Sequence, residues 1–295
     1  LVLKQSDAIS MDSEDLYLSR ERVRVAYRFT NMSDAPVDTL VAFPLPDIPP
    51  EDGGDNIAWW TGQGDLKFRT SVDGQPVPLD IVEQAIFNGK DVTERLRSLK
   101  IPLNRMDEHI EDALKKLTRA ERQKLVADGL LRDDSADDYF SFSPRWSLRT
   151  TVTRRQVFPA KSSVTVEHEY KPLTGGSVGG GLSREARKTD WFRSKRDRYC
   201  IEPDFISAFD RRLGKNGKDW DYTEVWLAYV LKTGANWKGP IRDCRLVVDK
   251  DKTDSRLSFC AEGVKKISPT QFEVRRKDFE PKKDLDILFV EWNRR

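Results

Sequence analysis

Apolar residues recur along the first stretch of the chain with a period of two. Val23, Val25, Tyr27 and Phe29 are interleaved with Arg22, Arg24, Ala26 and Arg28, the pattern of a half-buried strand. Asn31 to Pro36 supplies turn chemistry, and Val37 to Phe43 makes a second predicted strand that stops at Pro44 and Pro46. Phe68, Thr70 and Val72 then lead into Asp73-Gly74, a dipeptide suited to a tight hairpin. Between residues 80 and 135 the period becomes helical. Met106, Ile110, Ala113, Leu114 and Leu117 fall on one stripe, with Glu111/Lys115 and Asp112/Lys116 paired four apart. Thr118 and Glu121 have capping-box spacing for a second helix, which Gly129 ends.

Alternation resumes after Tyr139, in Trp146, Leu148, Thr150 and Val152 and again in Val164, Val166, His168 and Tyr170. Later strands are predicted over Val225–Leu231, Cys244–Val248, Leu257–Cys260, Phe272–Val274 and Leu285–Val290. The series predicts a mainly β fold with an α insertion: an immunoglobulin-like β-sandwich, as two β domains or one composite sandwich with a helical cap. The expected parts are an N-terminal sandwich part over 1–79, a helical insertion over 80–138, strands completing the first sandwich over 139–182, and a C-terminal β domain over 183–295. Thr174 to Ser183 is rich in glycine and predicts a flexible segment.

Charge removes some functions from this picture. Lys and Arg number 51 against 49 Asp and Glu, so the basic excess of a dedicated nucleic-acid binder is missing. The basic run from Arg184 to Arg198 reads as a solvated face. No apolar stretch approaches the roughly 20 residues of a membrane helix, so no membrane insertion is expected. The strand-like start at Leu1, without an initiator Met, fits a processed export product or a trimmed chain.

The segments Leu16–Pro46, Asp91–Leu103, Phe158–Pro172, Tyr199–Asp204, Thr233–Asp249 and Ser258–Leu288 together resemble a family of exported bacterial proteins, domain of unknown function 4424. The resemblance implies a periplasmic or secreted protein and brings no established activity. The opening segment also resembles that of the inter-alpha-trypsin type sandwich, which implies a β-sandwich with an interaction role by analogy.

An exported chain permits a disulfide. Cys200, Cys244 and Cys260 lack metal-ligand spacing. Cys244 shares parity with Leu246 and Val248 and points to a core, whereas Cys260 has the opposite parity from Leu257 and Phe259, and Cys200 stands before a proline-containing turn at a strand end. The favoured pair is therefore Cys200–Cys260, with three reduced cysteines as the alternative. His168 lies between Glu167 and Glu169, but in a strand those carboxylates face the other way. A satisfied, half-buried histidine is expected there, and a surface one at His109. Gly176-Ser177-Val178-Gly179 has neither nucleophile-elbow nor phosphate-loop spacing. The acidic stretches at 51–55 and 133–138 lack the ligand order of a calcium loop. No cofactor is expected.

The tryptophans remain as candidate binding residues. Trp59 and Trp60 are adjacent in a glycine-rich loop, and Trp191, Trp220 and Trp237 sit in polar, turn-rich surroundings. The expected function is that of a noncatalytic exported protein that binds a protein or glycan of the cell envelope through loop aromatics. The alternative is a hydrolase of envelope polymers acting through dispersed carboxylates such as Glu167 or Asp204.

Overall fold

A computed structural model describes residues 6–50, 66–134, 142–215, 217–218 and 221–293. Trp59, Trp60 and Trp220 lie outside the described residues. The chain is mainly β with several sheets, and it divides into two compact units. Unit 1 takes residues 1–41, 66–78 and 155–295; unit 2 takes 42–65 and 79–154.

Five strands come first: β1 (Ile9–Leu18), β2 (Val23–Asn31), β3 (Val37–Pro44), β4 (Arg69–Val72) and β5 (Gln75–Pro76). The predicted alternation is met in β2, where Val23, Val25 and Phe29 are buried while Arg24 and Arg28 are exposed. The turn after β2 is closed by Asn31, whose Nδ2 donates to the carbonyls of Ala35 (2.9 Å) and Phe158 (3.0 Å). Asp73 and Gly74, at φ 47° and 79°, make the left-handed turn from β4 to β5.

Unit 2 is entered within β3 and left within β10. It contains β6 (Asp80–Phe87), β7 (Lys90–Asp91), α1 (Thr93–Ser98), α2 (Ile110–Lys116), α3 (Arg119–Ala127), β8 (Leu131–Asp133), β9 (Phe142–Pro144) and the start of β10 (Ser147–Phe158). Residues 80–87 are thus a strand, where the sequence predicted the onset of helix. Their backbone pairs with β10, from Asp80↔Thr153 to Ile86↔Ser147, a partner 61 to 73 residues away. The capping box forms as predicted: the Thr118 side chain accepts from Glu121 N–H, and Glu121 accepts from Thr118 N–H at 2.7 Å. Leu96, Leu114, Leu125 and Trp146 build this unit's core, and the Trp146 indole donates to the Leu103 carbonyl at 2.8 Å.

The rest of the chain completes unit 1 with β11 (Ser163–Tyr170), β12 (Thr174–Ser177), α4 (Asp190–Tyr199), α5 (Pro203–Leu213), β13 (Tyr222–Tyr229), β14 (Ile241–Asp249), β15 (Arg256–Phe259), β16 (Lys265–Lys266), β17 (Gln271–Phe279) and β18 (Leu285–Trp292). An eight-stranded sheet runs β16-β17-β14-β1-β2-β11-β4-β5, and a four-stranded sheet runs β12-β13-β18-β15. β1 and β14 are parallel neighbours, which ties the start of the chain to its last quarter. One core lies on the larger sheet around Ile9, Phe29, Phe158 and Ile241. A second lies where α4 and α5 cover the smaller sheet, around Phe192, Phe209, Tyr222 and Leu288.

Candidate functional site

The helices on the smaller sheet are absent from the sequence-based expectation, yet they carry the chemistry. α4 begins at Thr189, whose hydroxyl accepts from Phe192 N–H at 3.2 Å, and ends at Cys200 in the left-handed conformation (φ 50°). Its buried residues are Phe192, Lys195 and Tyr199, spaced so that they share one face. A lysine therefore stands in the apolar stripe. Opposite it, β13 buries Tyr222, Glu224 and Trp226, which alternate onto one face.

Lys195 and Glu224 meet as an ion pair with side-chain exposures of 6% and 0%. The ammonium also lies over two indoles, 4.8 Å from the Trp191 ring centre and 5.3 Å from that of Trp226. Burial of both charges is tolerable only because they neutralise each other. Glu224 Oε1 and the Trp226 indole nitrogen have no hydrogen-bond partner among the described residues.

The glycine-rich segment covers this pair. Residues 174–177 form a strand, β12, and are not the flexible segment expected from composition. A Cβ on Gly181 would fall 2.6 Å from Glu224 Oε1 and 2.8 Å from Lys195 Nζ, so glycine is required there for close approach. The cover is anchored by the Tyr222 hydroxyl, which accepts from the backbone N–H groups of Gly180 (2.9 Å) and Leu182 (3.2 Å). Trp191 sits at the rim of the arrangement and is 46% exposed. One face of its indole is held by a fixed ammonium while much of the ring remains in solvent.

Beside this cluster, Cys200 at the end of α4 and Cys260 after β15 place their sulfurs 2.07 Å apart, at disulfide distance, with Cα atoms 5.1 Å apart. Cys200 is a helix C-cap, whereas the sequence placed it at a strand end. Cys244 is free and buried, and burial pushes its thiol up to about 12.

A second buried polar group lies between the two sheets of unit 1. Glu14 on β1 is 3% exposed, and burial raises its carboxyl from 4.5 to about 7 against the opposing effect of a hydrogen bond from Tyr229 on β13. Tyr229 and Tyr27 share a hydroxyl–hydroxyl bond of 2.9 Å, and Glu14 Oε2 has no hydrogen-bond partner among the described residues.

The other predicted residues are dispersed. Trp237 packs on Phe29, ring centres 4.4 Å apart, as part of the larger sheet's core. His168 is buried, with Nδ1 2.7 Å from the Thr70 hydroxyl, and His109 is exposed beside Glu108. Glu167 on β11 and Asp204 in the first turn of α5 are both exposed. In unit 2 a depression of about 430 Å³ lies against β6 and α1. Polar groups on its wall are paired locally, Gln84 with Asp91 at 2.6 Å and Arg97 with Glu94 at 2.9 Å. Among the described residues no helix is long and apolar enough to cross a membrane, and no three His, Cys, Asp or Glu side chains gather as metal ligands.

The model of the family described as "Domain of unknown function (DUF4424)" matches residues 1–288. Among solved structures, the chain is similar to a crystal structure titled a "putative nutrient binding protein" from Legionella pneumophila. The TM-score is 0.49 and the identity 16%, over 97% of this chain and 68% of that one. No curated protein matches.

Proposed function

This chain belongs to the DUF4424 family, and from that premise we propose that it is a noncatalytic, exported binding protein that takes a partner of the cell envelope, a glycan in preference to a protein, on Trp191. The single observation that carries the reading is the half-exposed indole of Trp191 clamped on the buried Lys195–Glu224 pair. A ring fixed before binding loses little entropy when a sugar stacks on it. Location outside the cytoplasm is supported by the exposed Cys200–Cys260 pair at bonding distance. The scaffold reading is an immunoglobulin-like sandwich in unit 1, supported by the Tyr27–Tyr229 bond that joins its two sheets, with a helical insertion within the N-terminal β part. Glu167 and Asp204 are each exposed on separate elements, which favours binding over hydrolysis by paired carboxyls.

Titration of the protein with soluble envelope glycan fragments, followed by calorimetry, tests the reading. Trp191→Ala is expected to weaken binding about tenfold or more while leaving the circular dichroism spectrum unchanged. Equal affinity in the variant, or no heat with any fragment, refutes the glycan assignment.

A further inference from the structure

Three arginines, two in the last turn of α5 and one on β15, lie within electrostatic reach of one another, away from Trp191 in sequence and independent of its proposed role. α5 has Pro203 at its first position and Gly214 after its last residue, and it carries Arg211 and Arg212 in its last turn. Its buried Phe209 stacks on Trp292 at the end of β18, ring centres 5.5 Å apart and planes 27° apart. The Arg212 guanidinium lies over the same indole, 5.6 Å from its centre. Trp292 is held in turn by an indole hydrogen bond of 3.2 Å to the Asp254 carbonyl.

Arg256 reaches this place from the sheet. It pairs with Val290 in the antiparallel β15–β18 ladder, and directly opposed residues present their side chains on one face. Trp292 lies two residues beyond Val290 and so shares that face. The neighbouring pair Ser258↔Leu288 has the same parity, and there the Ser258 hydroxyl donates to the Tyr199 carbonyl at 2.9 Å, so the helix-covered face is the one concerned.

Two of the three guanidiniums are poorly compensated. Arg212 has Asp254 at 3.8 Å, a pair with both side chains 55% exposed, which is worth little in water. Arg256 Nε is enclosed and has no hydrogen-bond partner among the described residues. Burial first, then the charges of Arg211 and Arg212, make the Arg256 guanidinium easier to deprotonate than an ordinary one. Gathering like charges around an unsatisfied donor costs free energy, and an arriving oxyanion would offset it.

We propose that Arg212, held over the Trp292 indole, forms with Arg211 and Arg256 a binding site for a phosphate-type oxyanion. Arginine suits this role because its planar fork donates two parallel hydrogen bonds to one oxyanion, and Trp292 limits how far the Arg212 fork can turn. The same chemistry would accept free phosphate or a phosphate ester carried on a larger molecule.

The test uses the whole chain at low ionic strength, titrated with inorganic phosphate and separately with a hexose phosphate, while the Trp292 indole N–H signal is followed by NMR. A saturable shift of that signal is expected. Arg212→Gln and Arg256→Gln should each weaken it about tenfold, the loss of one charge-assisted hydrogen-bonded contact. Arg24→Gln, on the exposed face of β2, should leave it unchanged. Saturation by the ester alone assigns the site to a phosphorylated ligand, and saturation by both assigns it to the phosphate group itself. No saturable shift with either probe, or equal weakening by Arg24→Gln, overturns the proposal. If Arg256→Gln melts at lower temperature than the parent, Arg211→Gln on the exposed helix end supplies the same reading without touching the sheet.

Discussion

Replacing Glu14 by Gln should make the stability of this protein less dependent on pH, and the size of the effect follows from burial. In the folded chain the carboxyl is raised from its ordinary 4.5 to about 7, burial being the larger cause and the Tyr229 hydrogen bond opposing it. A folded acid with a raised pKa holds its proton longer than the unfolded one does. Its full contribution is therefore present below 4.5, and stability is lost as pH rises through about 7. Raising the carboxyl from 4.5 to about 7 corresponds to about 3 kcal/mol lost once the group is ionised. The other groups around it, Tyr27 and Tyr229, stay protonated through neutral pH because burial raises both well above 10, and burial takes Cys244 to about 12. Gln keeps an acceptor for Tyr229 and never ionises, so only the parent should carry this slope. The assay is urea denaturation of parent and Glu14→Gln at intervals from about pH 5 to about pH 9, with the difference in unfolding free energy plotted against pH. The variant should gain about 3 kcal/mol on the parent across that range. A flat difference, or a parent that gains on the variant as pH rises, would refute the reasoning. A constant offset added to the predicted slope would not, because it reflects only how well the amide NH₂ fits beside the unpartnered position of Oε2.

Other consequences are as direct. Lys195→Met leaves Glu224 buried without its cation and should cost about 3–5 kcal/mol in a chemical melt, whereas Lys195→Met with Glu224→Leu should recover most of that loss. Equal destabilisation in the single and double variants would show that the pair is not the issue. Reduction of the Cys200–Cys260 pair, or Cys200→Ser with Cys260→Ser, opens a loop of 60 residues' separation and should lower stability by about 2–4 kcal/mol, read as a shift of the urea midpoint with and without reductant. Trp191→Ala and the arginine variants, by contrast, should change ligand titrations while the fold is retained.

Local features were legible in the amino-acid order because their physics is local. The alternation in β2, the Asp73-Gly74 turn and the Thr118/Glu121 capping box each involve residues within a few positions of one another, and each appears where the order of residues places it. α5 was legible too, and was missed: Phe205, Ile206, Phe209 and Leu213 follow helical spacing between Pro203 and Gly214. α4 is harder to find, since its buried stripe of Phe192, Lys195 and Tyr199 includes a charge inside a basic run that composition assigns to solvent.

Tertiary structure decided the rest. Lys195 is buried because Glu224, 29 positions later, neutralises it and two indoles cover it. Gly181 is constrained by approach to that pair, although glycine-rich order alone predicts freedom. Glu14 meets Tyr229 only where the two sheets of unit 1 pack together, and Arg256 feels the charges of Arg211 and Arg212 only once α5 lies on the smaller sheet. Strand pairing sets which residues share a face across such distances, and that choice depends on the whole core and not on any window of the sequence. Amino-acid order alone therefore determined a β-rich chain with a helical stretch and a cysteine pair. The chemistry those elements enclose was decided by which distant strands, sheets and helices became neighbours.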